Sequence, residues 1–398
     1  MELYYEDAYL QSFTSRVTSL SHSNSHVLIT LEKTAFFPGG GGQSFDTGFM
    51  YGKNGSAEVV ETRMEGGRVV HVCLVKGRIE QGEEVECRIN WERRYELMRA
   101  HTAQHMFFQC LSRFFDNLRV VKDDIDVGRH ALFIRSPQLL DYKRVAEAEK
   151  LANRVIQEGR RVIIRWMKKE AVEADVRMKP DRIKGSEVRV VEIEEFDKSA
   201  CSGVHIRNTR EIELLAVTRI TREGEEYAIE FEFGERAREF LLNMKRVCME
   251  TCSTLQTHPE LLGRTAEKLK EENIAMQEQL RKLSEEVLQK IDFSEKTGVK
   301  VYSKILSGVD NRKLMEKAGE LIKEQNALVI LANRDGGFLL IAKNPEMGID
   351  LKEIAEKAFS IMEGRWGGKE YFVSGAGKAE KVEEAVRFVI EAAGGSHE

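Results

Sequence analysis

The chain has 398 residues, 42% hydrophobic and 32% charged, enough for two or three domains with substantial cores. With 61 basic and 66 acidic residues the net charge is -5, which argues against a protein that coats nucleic acid but not against local basic patches. No apolar run approaches a membrane span and the N-terminus does not read as a secretory signal. Six dispersed cysteines suit a reducing cytoplasm better than a disulfide scaffold, so a cytoplasmic protein is expected.

Residues 1–90 alternate β-rich runs with glycine-bearing turns. "HVLIT", "AEVVET", "RVVHVCLV" and "EVECRI" predict the strands of a small β-domain. Between them lies "FFPGGGGQSFDTG", residues 36–48, whose four consecutive glycines suit neither a helix nor a strand interior. It is neither a dinucleotide fingerprint nor a P-loop. Gly40, Gly41 and Gly42 would let backbone N–H groups approach a ligand closely. Gln43 adds a donor and an acceptor, Asp46 can orient the turn or touch substrate, and Thr34 just upstream offers a small hydroxyl. A β-turn that simply needs glycine is the plainer reading.

At Trp91 the period becomes helical, through residue 115, with Tyr95, Met98, Thr102, His105, Met106 and Gln109 at three-to-four spacing. A strand follows at 129–135, an amphipathic helix at 141–160, and strands at "RVIIRWM", "EVRVVEIEEF" and "YAIEFEF". Residues 235–256 return to helix. The predicted fold class is α+β multidomain: a small N-terminal β-barrel (1–90), an α+β core (91–255), a long helix (256–292) and a C-terminal α/β domain (293–398). In the long helix Leu262, Ala266, Leu269, Asn273, Met276, Leu280, Leu283, Val287 and Ile291 form a near-heptad seam that suits coiled-coil pairing, within one chain or between two.

Within "RAHTAQH", His101 and His105 share one helical face and can offer two imidazoles to one ion. The spacing is that of HExxH, but Thr102 stands where the general-base glutamate of that motif would be. Cys201 and His205 in "CSGVH" repeat the spacing across a turn, and a thiolate with three imidazoles would make a four-ligand zinc set, one ion per chain; a buried thiol and a loop histidine are the plainer alternative. Cys248 and Cys252 lack partners at knuckle spacing and read as ordinary thiols. Basic residues for phosphate contact include Arg93, Arg94 and Arg99 before the histidine pair, Arg160, Arg161, Arg165, Lys168 and Lys169, and Arg207 and Arg210 beside His205. A solvated face is the alternative for each.

Taken together, "YYEDAYLQSF", "FFPGGGGQSFDTG", "RAHTAQHMF" and "CSGVHIRNTREI" resemble the ordered motifs of the free-standing alanyl-tRNA editing proteins in their long form, which are similar to the editing and C-terminal domains of alanyl-tRNA synthetase. "GGRWGGKEYFVSGAG" would be the glycine-rich stretch of the C-terminal region, with Trp366 and Lys369-Glu370 departing from its common form. The resemblance implies a hydrolase acting in trans that removes serine, and in some members glycine, from mischarged tRNA(Ala). It carries the zinc ligands onto His101, His105, Cys201 and His205, an activity-linked glutamine onto Gln43, and a threonine facing the serine side chain onto Thr34. It implies editing without ATP-dependent charging, a C-terminal domain that binds tRNA or forms a homodimer, and neither membrane nor DNA as partner. The rival readings are a zinc-stabilised tRNA-binding or assembly protein without hydrolysis, and a zinc hydrolase for another small ester or amide.

Overall fold

The computed structural model describes residues 1–23, 25–178, 185–296 and 298–394. They divide into two compact units, Met1–Thr251 and Cys252–Glu398.

The first unit opens with a short helix, α1 (Leu3–Glu6), and a closed antiparallel barrel in the order β1-β2-β5-β4-β3-β6. Its strands are β1 (Ser12–Ser23), β2 (His26–Leu31), β3 (Gly48–Tyr51), β4 (Asn54–Glu65), β5 (Arg68–Arg78) and β6 (Glu84–Ile89). In β6 alternate residues Val85, Cys87 and Ile89 point inward, where they meet Ile29, Met50, Val59 and Cys73. The sequence pattern anticipates the other strands but not β1 and β3. β1 puts only Phe13, Ser15 and Val17 inside and is otherwise rich in serine and threonine, so it lacks an apolar run; β3 has four residues.

Helix α2 (Trp91–Leu111) starts at Asn90, whose side chain accepts from the Arg93 amide at 3.2 Å. It is not a one-striped surface helix: Leu97, Met98, Ala100, Ala103, Met106, Phe107 and Cys110 are all inaccessible, so it is buried on several faces. It packs with α3 (Tyr142–Glu158), whose Val145, Ala148, Ala152 and Val155 join the same core. An antiparallel sheet β12-β13-β8-β7 completes that core, from β7 (Arg119–Asp126), β8 (Arg129–Arg135), β12 (Leu215–Glu223) and β13 (Glu226–Phe233). A three-stranded sheet β11-β10-β9 comprises β9 (Val162–Lys168), β10 (Glu187–Ile193) and β11 (Asp197–Ala200), and β11 delivers the chain to Cys201. Helix α4 (Gly234–Thr254) follows β13.

Barrel and core are joined through a buried ion pair. Arg94 and Asp46 are both fully inaccessible; Arg94 Nε donates to Asp46 Oδ1 at 2.9 Å, and Arg94 Nη1 donates to the Ala8 carbonyl at 2.9 Å. Arg94 therefore does not reach phosphate, which corrects its place among the basic surface candidates.

The second unit begins with α5 (Leu262–Gln289). Its six-stranded sheet has the order β14-β15-β16-β17-β19-β18, in which only β15 and β16 pair in parallel. The strands are β14 (Phe293–Lys296), β15 (Val299–Leu306), β16 (Ala327–Asn333), β17 (Phe338–Lys343), β18 (Arg365–Lys369) and β19 (Phe372–Ala376). Helix α6 (Asn311–Leu321) contributes to the core on one face, and α7 (Leu351–Ile361) and α8 (Val382–Gly394) to that on the other. β16 and β17 are buried throughout, which is why they read as continuous apolar runs. On α5 the seam residues Leu269, Met276, Leu280, Leu283 and Val287 are exposed, while Leu288, and Ile291 just past the helix end, enter the core. Among the described residues no helix is long and apolar enough to cross a membrane.

Candidate metal centre

His101 and His105 project from one face of α2, and Cys201 and His205 from the irregular segment after β11. Their four ligand atoms all lie within 4.8 Å of one another. Cys201 Sγ is 3.4 Å from His101 Nε2 and 3.3 Å from His205 Nε2. It is the single group of this kind among the described residues, and it does not include Cys248 or Cys252.

The surrounding hydrogen bonds fix how each imidazole is presented. The Thr102 hydroxyl donates to the Met98 carbonyl at 3.0 Å, so its oxygen must accept from His205 Nδ1 at 3.1 Å. The Ser199 hydroxyl donates to Asp197 at 3.3 Å and accepts from His105 Nδ1 at 2.6 Å. Gln43 Oε1 accepts from the Val204 amide at 3.1 Å, which identifies it as the oxygen, and from His101 Nδ1 at 2.7 Å. All three rings thus carry hydrogen on Nδ1 and leave the Nε2 lone pair for an ion. Burial lowers the His101 pKa to about 3, helped by Arg189, and burial with neighbouring positive charge holds His105 and His205 well below 6.5. The Gly203 amide donates to Cys201 Sγ at 3.3 Å and fixes its position. Three neutral imidazoles and one sulfur in this arrangement fit a divalent ion of borderline softness.

Two glycine features make this possible. A Cβ on Gly203 would lie 2.2 Å from His101 Cε1 and 2.7 Å from Gln43 Oε1, so only glycine fits. Gly39, Gly40, Gly41 and Gly42 all have positive φ, a run that side chains would strain. The Gly42 carbonyl accepts from Ile125 and the Ser44 amide donates back, docking the loop on β7. The Gly41 and Gly42 amides meet no protein acceptor among the described residues.

A cavity of about 650 Å³ opens beside the ligands, lined by His101, His105 and Cys201 together with Tyr5, Gly41, Trp166 and the basic Arg119, Arg177 and Arg189. Arg189 is buried and ties the ligand segment by donating to the Cys201 and Gly203 carbonyls at 2.8 and 2.7 Å. Asp46 and Thr34 are buried away from the cavity lining. Asp46 accepts from the Phe37 amide at 2.6 Å and so shapes the loop. Thr34 Oγ1 is 2.9 Å from His71 Nε2 inside the barrel and accepts from the Phe36 amide at 3.1 Å. Arg99 donates to the Ile212 carbonyl and Glu213, Arg207 to Asp7, and Arg210 to the Gln157 carbonyl; none of the three lines the cavity. Sequence reasoning missed Thr102, Ser199 and Asp197 behind the histidines, although each lies within the motifs or just before them. It also missed Tyr5, Trp166, Arg177 and Arg189, which only the fold brings to the cavity.

Fold and site together define a barrel-plus-core module with a His3Cys centre that the barrel's own loop helps to order. Residues 3–93 match the class II (A) tRNA synthetase family, 188–227 the second additional domain of threonyl and alanyl tRNA synthetases, and 298–395 the DHHA1 domain. The chain is 28% identical, over 98% of its length, to the alanine–tRNA ligase of Pyrococcus abyssi, and spans 43% of that protein. It is 26% identical to the alanyl-tRNA editing protein AlaX-L of Pyrococcus horikoshii, covering 98% of this chain and 97% of that one. The C-Ala domain crystal structure from Aquifex aeolicus alanyl-tRNA synthetase aligns over 26% of this chain and 99% of its own, with 22% identity and a TM-score of 0.25. The chain is homologous to AlaX-L and to the editing and C-terminal domains of alanyl-tRNA synthetase.

Proposed function

We propose that the protein is a zinc-dependent deacylase of the cytoplasm that hydrolyses the aminoacyl ester of mischarged tRNA(Ala) in trans, chiefly Ser-tRNA(Ala), with Gly-tRNA(Ala) as a second substrate. The observation that carries this reading is the 2.7 Å bond from Gln43 to His101, which joins the glycine-rich loop to the ligand set beside one cavity. Zn2+ held by His101, His105, Cys201 and His205, one per chain, would supply Lewis acidity toward an ester oxygen or an anchor for the ribose or amine. The amides of Gly41 and Gly42 are donors for charge developing on the ester, and Gly40, with a φ of +145°, lets the loop take the turn that presents them. Gln43 orders His101 through its oxygen and keeps a buried, unpartnered Nε2 as a donor. A neutral amide is a poor base, so its role is positioning.

Asp46 supports the same loop from beneath. His71 Nδ1 donates to the Ile29 carbonyl at 2.9 Å, so the Thr34 hydroxyl donates to His71 Nε2 and can only accept from a serine hydroxyl. Arg119, Arg177 and Arg189, with the half-exposed Trp166, suit a phosphate-linked nucleoside at the cavity. Arg99, Arg207 and Arg210 are assigned to tRNA outside it. The exposed α5 seam supports homodimerisation through the C-terminal region, which truncation after residue 255 with sizing and tRNA-binding assays tests.

The deciding experiment incubates zinc-loaded protein with Ser-, Gly- and Ala-tRNA(Ala), beside His105→Ala. Loss of the seryl ester with alanyl ester spared, abolished in the variant, is expected. Binding without deacylation would instead identify a zinc-stabilised tRNA-binding or assembly protein.

A further inference from the structure

Positions 101, 104, 105 and 108 of α2 share one helical face, and all four side chains line the cavity. Two are metal-site histidines and Phe108 is apolar. The fourth, Gln104, is 2% exposed. Its Nε2 donates to the Ala131 carbonyl on β8 at 3.2 Å, and since a carbonyl only accepts, that contact settles which end of the amide is oxygen. Oε1 is then left buried with no partner. The same cavity is lined by Leu118, Val120 and Leu132, which offer no donor. A fixed, buried acceptor without a protein partner rewards a ligand that brings a donor and penalises one that does not.

We infer that Gln104 is a specificity-determining residue whose side-chain carbonyl accepts a hydrogen bond from the side-chain hydroxyl of the esterified amino acid. The inference rests on the deacylase reading. An uncharged hydroxyl suits this wall better than the substrate's ammonium, because Arg119, Arg177 and Arg189 share the cavity and would oppose a further cation. Alanine presents a methyl group to the same acceptor and glycine presents nothing. Thr34 is less well placed to read that hydroxyl, since its hydrogen is spent on His71, it already accepts from Phe36, and it does not line the cavity.

The test measures kcat/KM of the zinc-loaded full chain for Ser-tRNA(Ala) and Gly-tRNA(Ala), with zinc content and thermal midpoint for every variant. Gln104→Met keeps the length and removes the acceptor; the seryl-to-glycyl ratio is expected to fall about tenfold or more. Gln104→Glu, protonated in this buried position, can donate its O–H to the Ala131 carbonyl and keep the other oxygen as acceptor toward the cavity, and its ratio is expected to stay at or above that of the wild type. An equal fall on both esters in a folded, zinc-loaded Gln104→Met would assign Gln104 to the shared part of the substrate and overturn the inference, as would an unchanged ratio. Should Gln104→Met lose zinc or fold, Gln104→Glu decides: a ratio reduced tenfold rejects the hydroxyl contact and a retained one supports it. Inactivity of the wild-type chain on both esters would overturn the deacylase reading itself, and this assignment with it.

Discussion

Gln43 and His101, 58 positions apart, meet in a 2.7 Å hydrogen bond that makes the glycine-rich loop part of the support of the candidate metal centre. Replacing Gln43 with leucine removes the acceptor for Nδ1–H and frees the ring to turn. Zinc affinity is expected to fall about 10- to 100-fold, read by competition with a chromogenic chelator. Unchanged affinity would deny Gln43 its positioning role.

Gly203 is under equal constraint. In Gly203→Ala the new methyl group must displace His101 or Gln43, since it would sit 2.2 Å from the imidazole. The expected cost is about 1–3 kcal/mol of stability, with zinc content below one per chain. Metal analysis and thermal unfolding of the same sample check both.

The Arg94–Asp46 pair is wholly buried, so removing one partner strands a charge. Asp46→Ala should cost about 3–5 kcal/mol in denaturant unfolding, and Arg94→Met/Asp46→Ala should cost less than that single change. A double variant as unstable as the sum of its parts would show that the two charges do not depend on each other.

Barrel stability should fall in acid through His71. Burial, only partly offset by the bond to Ile29, lowers its pKa from 6.5 to about 4. The unfolded chain therefore binds the extra proton first. Stability present above pH 6.5 is lost as pH falls toward 4, by about 3 kcal/mol from this group. His130 acts in the opposite sense: burial opposes its charge, but Glu232 and Glu96 outweigh that and raise its pKa, so its contribution is present below 6.5 and fades as pH rises past the raised value. Denaturant midpoints from pH 7.5 to 4.5 should slope less in His71→Asn than in the wild type; parallel curves would exclude His71 as the cause.

Most strands and helices were legible in the sequence because they carry periodic apolar faces, as in β6, or uninterrupted apolar runs, as in β16. β1, the four-residue β3, β7 and β18 were not: β1 is rich in hydroxyl side chains, β7 is charged along its second half, and β18 is the glycine-bearing strand "RWGGK" at a sheet edge. The grouping of His101, His105, Cys201 and His205 was legible from paired spacing and is met in space. Arg189 could not be read the same way. It lies 12 positions before Cys201 with no motif around it, and its importance comes from the two carbonyls that the fold turns toward it. Thr102 was visible only as a departure from HExxH, whereas it holds His205 in one tautomer.

Cys201 and His101 stand 100 positions apart, yet their ligand atoms are 3.4 Å from one another. An ion shared between them is therefore a cross-link closing a long loop. By analogy with a disulfide over such a span, it would remove about 4–5 kcal/mol of chain entropy from the unfolded ensemble. Loading would then act as a folding checkpoint: a chain with a misplaced β11 or a slipped α2 could not retain the ion, and metal retention would report on the integrity of the surrounding unit.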